Sequence, residues 1–314
     1  MPKEKIGLMG GSFNPIHERH LEMAACALRE AKLDRVLFLP TGNPPHKKEG
    51  LEDAEHRYEM TRLAVSGIAG FEPCRIELER KGTIYTVDTL TLLKKQLPNA
   101  EFYYIIGEDT LFDLPNWRKA DKVFELTRFL VCRRDTHDPE DDPRCNKLRK
   151  QGCKFSFLSL PPRDVSSTAV RAELKEDGDP DELKPQVIEY IRLMGLYGKA
   201  PSPAMGEAAY AKLKKNLSEK RLLHSLLVSW TARRLARQHG VNEDTAATAA
   251  LLHDCAKCMP LSAMQQLAKD NRLLIDKMSL QSGNLLHGPV GAVVAEKEYG
   301  VTDPNVLAAI RCHT

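Results

Sequence analysis

Short aliphatic runs alternate with longer amphipathic stretches between residues 6 and 160 of the chain. Five of these runs are rich in β-branched and aromatic residues and have the length of buried parallel strands. They lie at residues 6–9, 36–39, 102–106, 129–131 and 155–158. Between the first two runs, apolar residues recur at helical spacing from Leu21 to Ala31. This repetition predicts an α/β fold, a doubly wound parallel sheet whose ligands bind at the carboxyl ends of its strands.

The rest of the chain carries helical patterns of apolar residues. After a helix predicted near residues 185–196, a stretch rich in Gly and Pro has no periodicity and marks a linker. Further helices are predicted at residues 213–238, 243–252, 261–274, 289–299 and 304–310. We therefore expect an α/β domain at residues 1–198, a linker at 199–206 and an all-α domain at 207–314.

Length and composition agree with two folded domains. A chain of 314 residues exceeds the size at which a single core usually stops growing. The net charge of +3 is small, and the basic stretch at residues 212–221 is typical of a solvated helix face, so we expect no nucleic-acid partner. The N-terminus runs directly into a strand, and the longest nearly apolar run, residues 246–252, is too short to cross a bilayer. We therefore expect a cytoplasmic protein without a membrane segment.

A motif of glycines and histidines follows the first predicted strand and opens the first predicted helix. It consists of Gly10-Gly-Ser-Phe-Asn-Pro-Ile-His17-Glu-Arg-His20. The free N–H groups and the positive dipole end of a helix start suit a phosphate. His17 and His20 share one face of the first turn, where two imidazoles can donate to a polyphosphate and stabilise charge that develops as a P–O bond breaks. Neither a Walker lysine loop nor a G-x-G-x-x-G fingerprint is present, which disfavours P-loop NTPases and Rossmann dehydrogenases.

A second helix start follows the last predicted strand, in the sequence Val165-Ser-Ser-Thr-Ala-Val-Arg171. It offers hydroxyl groups for N-capping, free backbone N–H groups and a guanidinium. By itself this sequence is typical of a plain capped helix. On the same edge of the sheet as the histidine motif, it can bind the opposite side of one triphosphate.

Together the two motifs resemble those of the HxGH nucleotidyltransferases. Three further segments are similar to bacterial nicotinate mononucleotide adenylyltransferases, and the resemblance covers about residues 4–198. The segments are Leu39-Pro-Thr-Gly-Asn-Pro-Pro-His-Lys47, Gly82-Thr-Ile-Tyr-Thr-Val-Asp-Thr-Leu90 and Ile105-Ile-Gly-Glu-Asp-Thr-Leu-Phe-Asp-Leu-Pro-Asn-Trp117. The resemblance implies direct in-line transfer of AMP from ATP to nicotinate mononucleotide, with Mg²⁺ on the polyphosphate and pyrophosphate as the leaving group. Nicotinamide mononucleotide is the alternative acceptor, and phosphopantetheine fits the acceptor-side segments poorly.

The same resemblance implies a role for each matching residue. The catalytic set would be His17, His20 and Arg171; ATP would contact Gly10, Ser12, Phe13, Gly107, Asp109, Ser167 and Thr168; the mononucleotide would contact Lys47, Thr86 and Trp117. Two positions depart from the family pattern, with Arg19 where glycine is usual and Asn14 where aspartate is frequent. Arg19 could aid phosphate binding or point to solvent, and the sequence does not decide between these.

Histidines in the helical half have the pattern of a metal site. His253 and Asp254 are adjacent at a predicted helix end, and His224, His287 and His313 each lie in a separate short motif. A carboxylate can bridge two cations that imidazoles hold, and such a metal pair can activate a hydroxide for attack on a phosphoanhydride. Across residues 207–314 these motifs resemble the HD phosphohydrolases, specifically the bacterial symmetrical diadenosine tetraphosphate hydrolases. The resemblance implies a divalent transition metal, Fe, Mn or Co.

Two alternatives stay open for the helical half. The family's final aspartate ligand follows the His-Thr dipeptide at which this sequence stops, so we expect a truncated or incomplete hydrolase site. Alternatively, the helical domain binds a dinucleotide without hydrolysing it and regulates the transferase. The sequence predicts neither the identity of the metal nor the oligomeric state.

Overall fold

The computed structural model describes residues 3–42, 50–80, 82–133, 142–163, 165–176, 178–199 and 205–314. They form two compact units, Met1–Lys184 and Pro185–Thr314. The first unit contains a six-stranded parallel sheet with helices, and the described elements of the second unit are helices. The predicted parallel α/β sheet followed by an all-α domain is confirmed.

The strands of the first unit are β1 (Lys5–Gly11), β2 (Arg35–Pro40), β3 (Phe71–Pro73), β4 (Glu101–Gly107), β5 (Arg128–Cys132) and β6 (Phe155–Leu158). They pair in parallel in the order β3-β2-β1-β4-β5-β6. The strand order reverses between β1 and β4, which is where a doubly wound sheet binds ligands, outside the carboxyl ends of the strands. The hydrophobic pattern misses β3, because three residues that end in a proline are too few to form a pattern.

Helices cover this sheet and bury its central strands. They are α1 (Glu18–Glu30), α2 (Ala54–Val65), α3 (Thr86–Gln96), α4 (Glu108–Asp113), α5 (Ala120–Leu126), α6 (Pro143–Lys150) and α7 (Ser167–Lys175). Residues 6–9 of β1 are all buried, as expected for a parallel strand covered on both faces. The elements that start and end near the switch point are therefore held by a packed core.

The helices of the second unit are α8 (Pro185–Met194), α9 (Glu207–Asn216), α10 (Glu219–His239), α11 (Glu243–Leu252), α12 (Leu261–Asp270), α13 (Lys277–Leu280), α14 (Gly283–Tyr299) and α15 (Pro304–Arg311). The predicted start of α14 at Pro289 is wrong, because the helix begins at Gly283 and continues through the proline. A proline leaves the carbonyl four residues earlier without its usual N–H partner. That carbonyl, of Leu285, accepts from the Thr314 hydroxyl at 3.3 Å, so the helix tolerates Pro289.

Helix α8, the last helix predicted for the first domain, packs within the second unit. Glu189 is fully buried there, and its Oε1 accepts from Ser229 Oγ of α10 at 2.7 Å. Its Oε2 lies 3.4 Å from Nε of Arg233, another α10 residue. The compact units therefore divide at Lys184, before the predicted boundary at residue 198. Most of the predicted linker, residues 200–204, lies outside the described residues.

Within the described residues, no helix combines the length and the apolar character that a membrane span requires.

Candidate functional site

The segment between β1 and α1 places two histidines at a helix start. His17 is the N-cap residue of α1, and His20 lies in its first turn. The His17 N–H donates to His20 Nδ1 at 3.2 Å. Because a backbone N–H can only donate, His20 Nδ1 is an acceptor, and the neutral ring carries its proton on Nε2. His20 thus presents an N–H donor from a ring whose orientation the backbone fixes.

The two imidazoles are packed closely and kept neutral. Their ring centroids are 3.8 Å apart, and the edge of Phe13 supports His20 at 5.1 Å. Burial, and then the charge of Arg163, lowers the pKa of His17 to about 4, against the opposing charge of Glu22. Burial and the neighbouring His17 lower the pKa of His20 well below its usual range. Both rings are therefore neutral at physiological pH and would meet a phosphate as N–H donors.

Residues 10–13 lead from the end of β1 towards this helix start. A Cβ on Gly10 would collide with the buried Tyr104 hydroxyl, so glycine fits here without displacing Tyr104. Phe13 is buried with a left-handed backbone, φ 44°, a conformation that is strained for a bulky residue. Ser12 is exposed at the end of the strand. In the phosphate loop predicted at Gly10, Ser12 and Phe13, the two outer residues are therefore tightly packed, and the side chain of Ser12 is exposed.

The start of α7 meets the same loop. Arg171 Nη1 donates to the carbonyl of Asn14 at 2.8 Å, and Ser167 Oγ lies 3.4 Å from the carbonyl of Pro15. Thr168 is exposed, and its hydroxyl accepts from Arg171 Nη2 at 3.2 Å. The N-cap is Ser166, whose hydroxyl accepts from Ala169 N–H. The two predicted helix starts therefore lie side by side, as expected for helix starts at the same edge of a sheet.

A cavity of about 490 Å³ opens beside these helix starts. Gly107 and Asp109, at the end of β4 and the start of α4, line it. Ser166, Arg19 and Arg163 line it as well. The residues predicted to hold adenosine and those next to the predicted phosphate site thus border one cavity.

The second unit brings together the histidine cluster, which consists of His224, His253, Asp254, His287 and His313. The cluster contains two groups of possible ligands, His224 with His253 and Asp254, and Asp254 with His287 and His313. Within each group the ligand atoms lie within 4.8 Å of one another. Asp254 is the member that both groups share.

The two carboxylate oxygens of Asp254 face different imidazoles. Oδ1 lies 3.1 Å from Nε2 of His287 and 3.9 Å from Nε2 of His313, whereas Oδ2 lies 3.6 Å from Nε2 of His253. Burial lowers the pKa of His253 and of His287, which favours the neutral imidazole that a metal binds. A carboxylate between two sets of imidazoles has the arrangement of a bridging ligand.

Two cations border the histidine cluster. Arg221 Nη1 donates to Asp254 Oδ2 at 2.9 Å, and Lys257 Nζ lies 3.2 Å from the ring nitrogens of His287. Sequence reasoning did not single out either residue, although Arg221 lies three residues before His224 and Lys257 three residues after Asp254. A cationic side chain beside a metal site is suited to an anionic substrate such as a polyphosphate.

Residues 8–173 match the cytidylyltransferase-like family, which covers more than half of the chain. A probable nicotinate-nucleotide adenylyltransferase from Lachnoclostridium phytofermentans is 37% identical over 199 residues, which cover 62% of this chain and 98% of that protein. A second probable nicotinate-nucleotide adenylyltransferase, from Desulfitobacterium hafniense, is 37% identical over 202 residues, with 62% and 97% coverage. The chain belongs to the nicotinate-nucleotide adenylyltransferase family.

Residues 221–314 match the HD domain family, so this adenylyltransferase chain also carries an HD domain. Among solved structures, Plasmodium falciparum nicotinic acid mononucleotide adenylyltransferase complexed with NaAD covers 63% of this chain and 98% of its own. Its TM-score is 0.52 and its sequence identity is 22%, which supports the fold of the first unit.

The predicted acceptor residues of the adenylyltransferase are only partly brought together. Thr86 is the first residue of α3, and its side chain hydrogen-bonds the Tyr104 hydroxyl. Trp117 is half-buried and packs edge-on against Tyr104, with ring centroids 6.0 Å apart. Tyr104 therefore connects these two residues to each other. Lys47 lies outside the described residues.

Arg57 is a supporting residue of the adenylyltransferase site that sequence reasoning missed. It is fully buried in α2 and donates to the carbonyls of Ser12 at 2.8 Å and of Thr41 at 2.6 Å. These contacts hold the ends of β1 and β2 together. No motif could have revealed them, because they are made to backbone atoms far away in the sequence.

Asn14 explains one departure from the family pattern. Its Nδ2 donates to the carbonyl of Gly50 at 2.8 Å, and its Oδ1 accepts from Glu52 N–H at 3.2 Å. An aspartate could accept but could not donate at this position. The amide therefore joins the phosphate loop to the segment that precedes α2.

Proposed function

We propose that the first unit transfers AMP from ATP to nicotinate mononucleotide, producing nicotinate adenine dinucleotide and pyrophosphate. The observation that carries this proposal is the 2.8 Å hydrogen bond from Arg171 to the carbonyl of Asn14, which ties the start of α7 to the loop before α1. Two helix N-termini and two neutral imidazoles thereby face one place. A triphosphate bound there would receive N–H donors from both sides.

The reaction needs no covalent enzyme intermediate. A phosphate oxygen of the mononucleotide attacks the α-phosphorus of ATP in line, a new P–O bond forms, and the bond to the departing pyrophosphate breaks. Nε2–H of His20 would donate to the oxygen on which charge develops, and Arg171 would hold the polyphosphate. Mg²⁺ that arrives with ATP would neutralise part of the phosphate charge. The rate then comes from alignment and from preorganised donors.

The start of α3 favours a carboxylated ring as the acceptor. Tyr85 is the N-cap of this helix, so Thr86 and Val87 are its first residues. The first N–H groups of a helix have no partner within the helix and attract an anion. A nicotinate carboxylate beside Thr86 would use these donors, whereas the neutral amide of nicotinamide would gain less from the helix dipole.

This proposal is tested by supplying the pure protein with MgATP and one acceptor at a time. We expect release of pyrophosphate with nicotinate mononucleotide, and a kcat/KM about tenfold or more below that value with nicotinamide mononucleotide. Equal kcat/KM for the two mononucleotides would contradict the acceptor assignment. A lack of pyrophosphate release with every acceptor, phosphopantetheine included, would contradict nucleotidyl transfer itself.

We also propose that the HD domain hydrolyses diadenosine tetraphosphate to two molecules of ADP. The supporting observation is that Asp254 belongs to both ligand groups of the histidine cluster. Imidazole nitrogens with one carboxylate form a donor set that Fe, Mn or Co accepts. A bound metal pair would supply Lewis acidity to a phosphoryl oxygen and to a water molecule. Arg221 and Lys257 would orient the polyphosphate chain beside Asp254.

The hydrolase proposal is tested with protein loaded separately with Fe²⁺, Mn²⁺ or Co²⁺. We expect diadenosine tetraphosphate to give ADP as the single nucleotide product by chromatography. Formation of AMP and ATP in equal amounts would contradict symmetrical cleavage. Tight binding of the dinucleotide without cleavage under any metal would favour the alternative, in which the HD domain is a regulatory module.

A further inference from the structure

Arg19 occupies an unusual place in the adenylyltransferase unit. It is the second residue of α1, between His17 and His20, where the family usually has glycine. The residue is only 8% exposed, so its side chain does not extend into bulk solvent. Instead it lines the 490 Å³ cavity together with Gly107, Asp109 and other residues. The structure thus argues against the alternative in which Arg19 points to solvent.

The start of α1 is an electrostatically unfavourable position for a cation. The first turn of α1 carries the positive end of the helix dipole, which repels a guanidinium. Arg163 adds a second guanidinium to the lining of the same cavity. Glu22 contacts both cations, at 3.2 Å from Arg19 Nη1 and 2.7 Å from Arg163 Nη1. Glu22 is therefore shared between two arginines, and Glu108, Asp109 and Arg133 also line the cavity. Local rules that a sequence breaks in this way are typical of functional sites.

The guanidinium of Arg19 also has hydrogen-bonding capacity to spare. A guanidinium has five N–H donors. Among the residues that the structure describes, Arg19 uses its Nη1 for Glu22, and no other hydrogen bond of its side chain is formed. An anion with several oxygens could accept from these unused N–H donors.

We propose that Arg19 binds the polyphosphate of ATP directly, and that Glu22 is a positioning residue that holds Arg19 and Arg163 towards the cavity. The inference rests on the proposed AMP transfer, because that reaction supplies ATP as the ligand. The polyphosphate is the part of ATP that carries the negative charge, and Arg19 lies in the same helix turn as His17 and His20. The guanidinium thus adds to the neutral imidazoles the full positive charge that they lack.

The test is calorimetric titration of the whole protein with MgATP and, separately, with adenosine. We expect Arg19→Ala to raise the Kd for MgATP about tenfold or more, as loss of a charged hydrogen bond does. The Kd for adenosine should change less than about twofold. High salt should reduce the difference in MgATP Kd between the wild type and Arg19→Ala, because salt screens the charge of the guanidinium. Arg19→Lys keeps the charge without the forked donors and should fall between the wild type and Arg19→Ala. Arg29→Ala, on the exposed last turn of the same helix, is the control and should bind MgATP normally.

A purely structural role for Arg19 predicts a different pattern. In one such pattern, Arg19→Ala weakens the binding of MgATP and of adenosine equally. In another, Arg19→Ala lowers the Tm, while Arg19→Lys and Arg19→Gly bind MgATP normally. Either result would overturn the proposal. Unchanged MgATP affinity in a folded Arg19→Ala protein would also overturn it. If the wild-type protein binds no MgATP at all, the proposed AMP transfer fails first, and that outcome is visible in the same titration.

Discussion

The two candidate sites use the same side chain for opposite purposes. In the adenylyltransferase unit, His17 and His20 lie at the positive end of a helix beside the guanidinium of Arg163. In the HD domain, His253 and His287 lie on either side of the carboxylate of Asp254. The first surroundings favour an anion, to which neutral imidazoles donate. The second favour a cation, which imidazole lone pairs can bind.

The comparison teaches that the neighbours of a histidine, rather than its spacing alone, indicate its chemistry. His20 Nδ1 accepts a backbone N–H, so the neutral ring carries its donor N–H on Nε2. His253 Nδ1 lies 2.6 Å from the carbonyl of Ala250, so Nδ1 donates and the lone pair lies on Nε2, the atom nearer Asp254. One backbone contact in each case therefore selects the tautomer that suits the proposed ligand.

Replacing His20 by alanine should produce the largest effect on the first site. The loss of one preorganised donor to developing charge lowers kcat by about 10² or more. The substitution should leave metal binding by the HD domain unchanged. Pyrophosphate release with nicotinate mononucleotide measures the first effect, and elemental analysis measures the second. His239→Ala removes an exposed imidazole at the end of α10 and is the control. Full activity in His20→Ala would remove this histidine from the mechanism.

Asp254→Asn should weaken metal binding by the histidine cluster and leave the adenylyltransferase site unchanged. The amide removes the negative charge that both ligand groups share, so affinity for a transition metal should fall at least about tenfold. Metal content after dialysis against a defined concentration of Mn²⁺ or Co²⁺ measures this. AMP transfer should be unaffected, and Asp270→Asn, on the exposed end of α12, should retain the metal. Equal metal content in the two variants would mean that the histidine cluster is structural.

The smallest effects sharpen the electrostatic part of the comparison. Because Arg163 lowers the pKa of His17 and Glu22 raises it, Arg163→Ala should raise that pKa from about 4, and Glu22→Gln should lower it further. Titration of the His17 ring by NMR measures both shifts, which should stay within about one pKa unit because burial remains the main cause. Shifts of the same sign in both variants would show that packing, not charge, controls the ring.

The same pKa fixes the pH dependence of stability. The folded pKa of His17 lies below the unfolded value of 6.5, so the unfolded chain binds a proton first as the pH falls. His17 therefore contributes no penalty above pH 6.5 and reduces the free energy of unfolding progressively between pH 6.5 and about 4. His17→Gln should flatten this part of the stability curve, as measured by denaturant unfolding of the first unit's aromatic signal.

Sequence patterns predicted the parts of the fold that local chemistry determines. Strands β1, β2, β4 and β5 were found because strands buried on both faces form continuous apolar runs. Strand β6 was found from its aromatic residues, although only Leu158 of this strand is buried. The start of α14 was misplaced because the sequence does not show that Thr314 satisfies the carbonyl which Pro289 leaves free. The sequence also did not predict which unit α8 belongs to, because an amphipathic helix can pack in either of two adjacent domains. The contacts of its Glu189 with Ser229 and Arg233 assign it to the second unit.

The candidate sites show the same division between local and distant determinants. The histidines and the second helix start were predictable because each lies in a short motif. Arg57 was not, because its acceptors are carbonyls up to 45 residues away. The proposal for Arg19 depends on its burial and on the cavity that it lines, neither of which a motif encodes.

The measurement that tests the central comparison most directly is NMR of the histidine side chains, labelled with ¹⁵N, during two separate titrations of metal-free protein. We predict that a non-hydrolysable MgATP analogue shifts the ¹⁵N resonances of His17 and His20. The resonances of the other group should not shift; this group consists of His224, His253, His287 and His313. Zn²⁺, a diamagnetic probe, should perturb those four rings and leave His17 and His20 unchanged. Zn²⁺ shifts at His17 and His20, or no Zn²⁺ shift at any of the four, would contradict the assignment of an anion site and a cation site to these two groups of histidines.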